Sequence, residues 1–251
     1  IELQAAALRS ANEQDLAAAR TAGLPDAKLR RLTLSDVSIG QLSEGLRQIA
    51  HLPDPVGQVT KDYRVPSGLH VRKVRCPLGV ILMIYEARPN VTVDAFALCF
   101  KAGNACLLKG GHEARCSNEA LRDLVCSVLS AHGVPPDALG LLTVESREEL
   151  RHLLTLSQDI DLVIPRGGVE LIRFVRENSR IPTVQHCQGV CHIFVDASAN
   201  LNQAIEICAT AKTSAPAACN AVETILVHEE IAGSFVPALV TRLAHDSVEV
   251  R

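Results

Sequence analysis

A chain of 251 residues is long enough to bury a large core, as one α/β unit or two modest domains. Its 47% hydrophobic and 21% charged residues fit a soluble globular protein, and a net charge of −3 argues against nucleic acid as a partner. With no Trp, two Tyr and five Phe, the core must be built from Leu, Val, Ile and Ala, which suits buried parallel strands under Ala- and Leu-rich helices.

In chain order, residues 2–22 are Ala-rich and predict a helix stopped by Gly23. A second helix is expected from near Ser35 through "IGQLSEGLRQIAHL". Two alternating stretches around Ser67-Gly68 predict a hairpin within residues 56–76. From residue 79 the pattern becomes strand–helix alternation. "GVILMIYE", "ACLLKG", "GLLTV", "IDLVIP", "IPTV", "VCHIFVD" and "VETILV" read as strands. Helices are expected over 91–102, in "SNEALRDLVCSVLSAHG" with Gly133 as its stop, in "REELRHLLTL", over 168–178 and over 200–211. Ser146 and Glu149 form a capping box before "REELRHLLTL". Repeated βα units imply a doubly wound, mostly parallel sheet. The expected organisation is N-terminal helices over 1–55, a hairpin over 56–76, an α/β domain over 77–208 and the start of a second α/β domain over 209–251. The chain opens inside a helical pattern and closes at "DSVEVR" as a new strand begins, so it reads as a piece of a longer protein.

The nine cysteines have irregular spacing, which points to free thiols in a reducing, cytoplasmic setting. No apolar run approaches the roughly 20 residues that span a bilayer. The basic clusters Lys28, Arg30, Arg31 and Arg72, Lys73, Arg75 read as solvated faces. "HCQGVCH" gathers possible metal ligands, but Cys191 and His192 would face opposite sides of a strand, so no metal is expected there.

Open α/β sheets bind ligands at the carboxyl ends of their strands. In "VIPRGGVELIRFV", Gly167-Gly168 either make a tight turn or let a phosphate approach a helix N-terminus. In "LLKGGHEA", Lys109 either is solvated or holds a nucleotide phosphate or ribose, with Gly110 and Gly111 beside it. Together the two junctions favour a dinucleotide, although the GxGxxG fingerprint is absent. In "YEARPNVTVD", Pro89 suits a helix start, and Asn90 is either an N-cap or an amide donor to a developing oxyanion. Cys219, in "KTSAPAACNAVETILV", is either one more buried thiol or a nucleophile presented to a cleft.

The stretches "CPLGVILMIYEARPNVTVD", "LLKGG", "IPRGG", "GVCHIFVD" and "KTSAPAACNAVETILV", in this order, resemble the γ-glutamyl phosphate reductases of the aldehyde dehydrogenase superfamily. The reductase domain of bifunctional pyrroline-carboxylate synthases is similar too. The likeness runs from about residue 4 to the end. It implies an aldehyde-dehydrogenase-like fold and the NADPH-dependent reduction of glutamyl 5-phosphate to glutamate 5-semialdehyde, with release of phosphate, in proline biosynthesis. By that resemblance Cys219 is the nucleophile that forms a thioester, and Asn90 is an oxyanion donor. Lys109, Gly110, Gly111, Arg166, Gly167 and Gly168 face NADPH, and Arg88 and Asn220 face the substrate. Residues 77–208 become the NADPH-binding domain, and the hairpin becomes the oligomerisation arm of a homo-oligomer. Thioester cleavage by hydride or phosphate needs no water-activating base, and "VQHCQGV" offers no glutamate. Ser214 and Ala215 stand where relatives often carry Gln-Arg, and the family's C-terminal part is missing. Two other readings stay open: an aldehyde dehydrogenase homologue of altered substrate, indifferent to phosphate, and a truncated nucleotide-binding fragment without turnover.

Overall fold

The computed structural model describes residues 1–250 apart from Ala87, Glu145, His186, Cys187, Gln188, Ala217 and Cys219, and without the side chain of Ala27. Packing divides the chain into two compact units, Ile1–Gln185 and His186–Arg251. This is a division by contacts, whereas the expected domains were functional ones with a boundary after 208. By packing, the strand before residue 208 and the helix that spans it belong with the C-terminal strand and helix.

The first unit opens with α1 (Ala5–Thr21), α2 (Asp26–Leu32) and α3 (Asp36–His51). Ser35 caps α3 by accepting from the Ser38 N–H at 3.2 Å. The short α2, just after Pro25, was not expected. Pro25 holds the cap position with φ −58°, pre-set for a helix start. Leu8, Leu34, Leu42, Val93 and Leu121 pack these helices onto the α/β layer behind them. A buried carboxylate reinforces the join: Asp15 accepts from the Cys116 N–H at 2.9 Å, the Ser117 N–H at 2.8 Å and the Ser117 hydroxyl at 2.6 Å. A carboxylate on the first N–H groups of a helix satisfies donors that have no partner within that helix.

The predicted hairpin is present. β1 (Val59–Arg64) and β2 (His70–Val74) pair antiparallel, closed by a turn in which Gly68 takes φ +89°. Most of the ribbon is exposed on both faces.

β3 (Val80–Tyr85), β4 (Ala105–Lys109), β5 (Leu139–Leu141) and β6 (Leu162–Arg166) form an all-parallel sheet in the order β5-β4-β3-β6. Alternation sorts β3 between two cores. Ile81 and Tyr85 pack with Phe96, Cys99 and Leu129 of α4 (Asn90–Lys101) and α5 (Arg115–Ala131). Leu82 and Ile84 pack with Leu150 of α6 (Arg147–Leu153) and Val175 of α7 (Val169–Asn178). Helices on both faces make the sheet doubly wound, as the alternating pattern predicted. The Ser146–Glu149 capping box forms with both of its hydrogen bonds, 3.1 Å and 3.2 Å.

"VCHIFVD" and "VETILV" are trimmed to His192–Val195 and Thr224–Val227, and two other expected strands depart further. "GLLTV" pairs in register only as far as Leu141, although the Leu142 N–H still donates to the Leu108 carbonyl at 2.8 Å. "IPTV" makes a single bridge, Thr183 to Val163.

The second unit pairs β7 (His192–Val195) with β8 (Thr224–Val227) in parallel, joined through α8 (Leu201–Thr213) and continued by α9 (Glu229–His245). Val195, Cys208, Ala209, Phe235, Leu239 and Leu243 form its core. The sequence reading missed α9, and the strand expected to begin in "DSVEVR" is not formed over 246–250.

Candidate functional site

Parallel register brings three junctions to one edge of the first unit's sheet. Ile84 of β3 pairs with Lys109 of β4 on one side and Pro165 of β6 on the other, and Tyr85 pairs with Arg166. The strands therefore end level. Glu86, Arg88 to Asn90, Lys109 to Gly111 and Arg166 to Gly168 all emerge at the carboxyl edge, where doubly wound sheets bind ligands. Arg88 and Arg166 are exposed and Lys109 is half-buried, so three cations border this edge.

Backbone dihedrals separate the two readings of the glycines. None of Gly110, Gly111, Gly167 and Gly168 has a positive φ. No left-handed turn demands glycine at any of them. Space is the remaining question. A side chain on Gly110 would stand within 3.0 Å of Asn118 Nδ2 and 3.2 Å from the Tyr85 ring and hydroxyl. At Gly111 it would meet the Glu113 carboxylate at 2.5 Å, and at Gly167 the ends of Leu171 and Glu86 at 2.7 and 2.8 Å. Those last neighbours are ends of flexible side chains. Gly168 is different: nothing lies within 4 Å, and its φ of −67° suits any residue. Its N–H points at Glu86 Oε1, 3.4 Å away, at the start of α7. No neighbouring atom requires glycine there; glycine suits the N-cap of α7, and the open space leaves room for a ligand phosphate to approach the N–H groups of that helix.

Beneath the Lys109 turn lies a buried polar chain that sequence reasoning did not find. The Tyr85 hydroxyl is 2.7 Å from Thr92 Oγ1, and Thr92 donates to Asn118 Oδ1 at 2.9 Å. Burial pushes the Tyr85 phenol up to about 12, against the opposing pull of the Thr92 hydrogen bond. Tyr85 therefore stays protonated at any ordinary pH. Its partner lies seven positions along, across a strand-to-helix junction, a spacing that no periodicity rule marks.

Asn90 is the first residue of α4, and Pro89 holds the cap position without a side-chain cap. The N-cap reading of Asn90 therefore does not describe its geometry. Its amide instead donates to Asp94 Oδ2 at 3.5 Å, a long and weak bond. Burial holds the Asp94 carboxyl above the usual range, partly offset by that amide.

In the second unit, the segment after α8 folds back onto the end of that helix. The Val222 N–H donates to the Ala211 carbonyl at 3.1 Å, and Lys212 Nζ donates to the Val222 carbonyl at 3.0 Å. The Ala218 N–H donates to the Ala215 carbonyl at 2.9 Å and the Ala221 N–H to the Ala218 carbonyl at 3.1 Å. Cys219 lies outside the described residues, while its neighbour Asn220 is exposed. Among the described cysteines, Cys76 is exposed and Cys116, Cys126 and Cys191 are half-buried. Cys99, Cys106 and Cys208 are buried, and contact with the Cys99 thiol together with burial holds the Cys106 thiol far up. Of "HCQGVCH", residues 186–188 also lie outside the described residues. No described helix is long and apolar enough to cross a membrane.

Comparison with known proteins places this architecture. The sequence pattern described as "Aldehyde dehydrogenase family" matches residues 4–249. A γ-glutamyl phosphate reductase of Xylella fastidiosa (strain M23) is 51% identical over 251 residues, which is 100% of this chain and 59% of that protein. The crystal structure of a γ-glutamyl phosphate reductase from Thermotoga maritima is 38% identical with a TM-score of 0.91, over 100% of this chain and 60% of that one. One from Saccharomyces cerevisiae is 34% identical with a TM-score of 0.64, over 98% and 60%. The chain thus spans about three fifths of the length of these relatives. It belongs to the aldehyde dehydrogenase family.

Proposed function

We propose that this chain carries the cofactor-binding and thiol-bearing parts of a γ-glutamyl phosphate reductase. Such an enzyme reduces glutamyl 5-phosphate to glutamate 5-semialdehyde and releases phosphate, a step of proline biosynthesis. The observation that carries the reading is the likeness, over the whole of this chain, to proteins of that name, at about half identity. Two local features support it: the open approach at Gly168 and the cations that border the same sheet edge.

Gly167-Gly168 and the first N–H groups of α7 would take the phosphates of NADPH, with Lys109 on the nucleotide. When bound, NADPH supplies the hydride. The remaining work falls to side chains. The Cys219 thiolate attacks the acyl phosphate, a carbon–sulfur bond forms, the carbon–oxygen bond to phosphate breaks, and phosphate leaves. The Asn90 amide donates to the oxygen on which charge develops; one such donor is worth about 10²–10³ in rate. After reduction the carbon–sulfur bond breaks, the aldehyde leaves and the thiolate returns. Arg88 and Asn220 bind substrate. In the whole protein the hairpin serves as a subunit arm, and the enzyme works as a cytoplasmic homo-oligomer.

The test is reduction of NADP⁺ with glutamate semialdehyde, with and without phosphate, beside a Cys219→Ser variant. The proposal expects turnover that needs both phosphate and the thiol. Turnover indifferent to phosphate would point to a dehydrogenase of other specificity. NADPH binding without turnover would leave a nucleotide-binding piece only.

A further inference from the structure

The Tyr85–Thr92–Asn118 chain has a direction that donor and acceptor chemistry fixes. Asn118 Oδ1 can only accept, so Thr92 gives it its single hydroxyl hydrogen at 2.9 Å. Thr92 Oγ1 must then accept from the Tyr85 hydroxyl, 2.7 Å away. Tyr85, Thr92 and Asn118 are 2%, 0% and 2% exposed, so water competes for none of these bonds. With Oδ1 bound to Thr92, the orientation of the Asn118 amide is set, and its Nδ2 lies against Gly110. The turn that carries Lys109 therefore rests on a floor with one allowed arrangement.

The three residues come from β3, α4 and α5, the elements that flank two neighbouring junctions at the carboxyl edge. Thr92 stands two positions after Asn90, and Asn118 comes soon after the Lys109-Gly110-Gly111 turn. Apolar groups of similar shape would fill such a site at little or no loss of stability. What directional bonds add is a unique geometry. We propose that Thr92, linking Tyr85 to Asn118, is a positioning residue that sets the Lys109–Gly111 turn to receive a nicotinamide nucleotide. The inference rests on the reading that this turn holds the nucleotide.

The test is calorimetric titration of NADPH into wild type, Thr92→Val, Thr92→Ser and Lys109→Ala, with thermal unfolding of each. Thr92→Val keeps the shape but leaves the Tyr85 hydroxyl and Asn118 Oδ1 unpaired, whereas Thr92→Ser restores the hydroxyl. The expected result is a Kd at least about fivefold weaker in Thr92→Val, the loss of roughly one net hydrogen bond, and within about twofold of wild type in Thr92→Ser. A Kd unchanged in Thr92→Val, with only its melting point lowered, would overturn the proposal in favour of a purely structural role. Should Thr92→Val fail to fold, Tyr85→Phe decides: it removes the donor to Thr92 alone, and an unchanged Kd there overturns the proposal. Lys109→Ala separates the two levels. An unchanged Kd in that variant removes the nucleotide from this turn and the proposal with it. A weakened Kd there beside an unaffected Thr92→Val removes only the positioning role.

Discussion

Gly168→Ala separates a glycine kept for the fold from one kept for a ligand. A methyl group at Gly168 enters open space, and φ −67° with ψ 168° is ordinary extended backbone. Two small stability effects oppose each other. Alanine restricts the unfolded chain, worth about 0.4–1 kcal/mol in favour of folding. It is also a poorer N-cap than glycine, by about 0.5–1 kcal/mol. The net change in unfolding free energy is therefore within about 0.5 kcal/mol of zero. Binding should respond quite differently if a phosphate approaches the N–H groups of α7. A hydrogen bond to a charged group is worth about 1.5–3 kcal/mol, so losing one weakens NADPH by about 10- to 150-fold. Thermal unfolding and calorimetric titration on the same samples read both quantities. An unchanged Kd with an unchanged melting point would show that no phosphate sits at Gly168, and the cofactor assignment of this turn would fall.

Other outcomes depend on single contacts. Asp15→Ala strips the acceptor from two N–H groups and a hydroxyl at the start of α5, and should cost about 3 kcal/mol in urea unfolding, with Asp15→Asn costing less. Ser146→Ala removes one side of the capping box and should cost about 1 kcal/mol by the same assay. Asp94 bears on pH: its folded carboxyl lies above the ordinary range, chiefly from burial. The folded state thus holds that proton more tightly than the unfolded state does. The stability from this group is complete below the ordinary carboxylate range and is lost as pH rises through the folded value. Asp94→Asn should therefore gain melting temperature over wild type at neutral pH, and the gain should vanish below about pH 4. An equal gain at both pH values would refute the burial argument.

Much of the fold was legible because the strands are buried on both faces. β3 reads as an unbroken apolar run since Ile81 and Tyr85 face one core while Leu82 and Ile84 face the other. Capping signals at Ser35 and Ser146 marked helix starts through local chemistry alone. α9 escaped notice because Gly233 and Pro237 sit inside it, and both are poor helix residues. Its buried stripe Phe235, Leu239, Leu243, spaced by four, outweighs them through packing. "IPTV" was expected as a full strand and reaches β6 only around Val163, through the Val163 N–H to Pro182 O and Val184 N–H to Val163 O bonds. The junctions at Lys109 and Gly167-Gly168 were legible from strand-turn-helix order. What crowds Gly110 and Gly167 was not, because Asn118, Glu86 and Leu171 reach those turns only through the fold. The Tyr85–Thr92–Asn118 chain was invisible for the same reason.

Cys219 is proposed to carry the substrate as a thioester. The most direct measurement incubates the protein with glutamate semialdehyde and NADP⁺ in the absence of phosphate, then maps covalent adducts by peptide mass spectrometry. The expected result is a glutamyl adduct on the peptide that contains Cys219, absent in Cys219→Ser and discharged when phosphate is added. An adduct on another cysteine, or none at all while NADP⁺ is reduced, would contradict it.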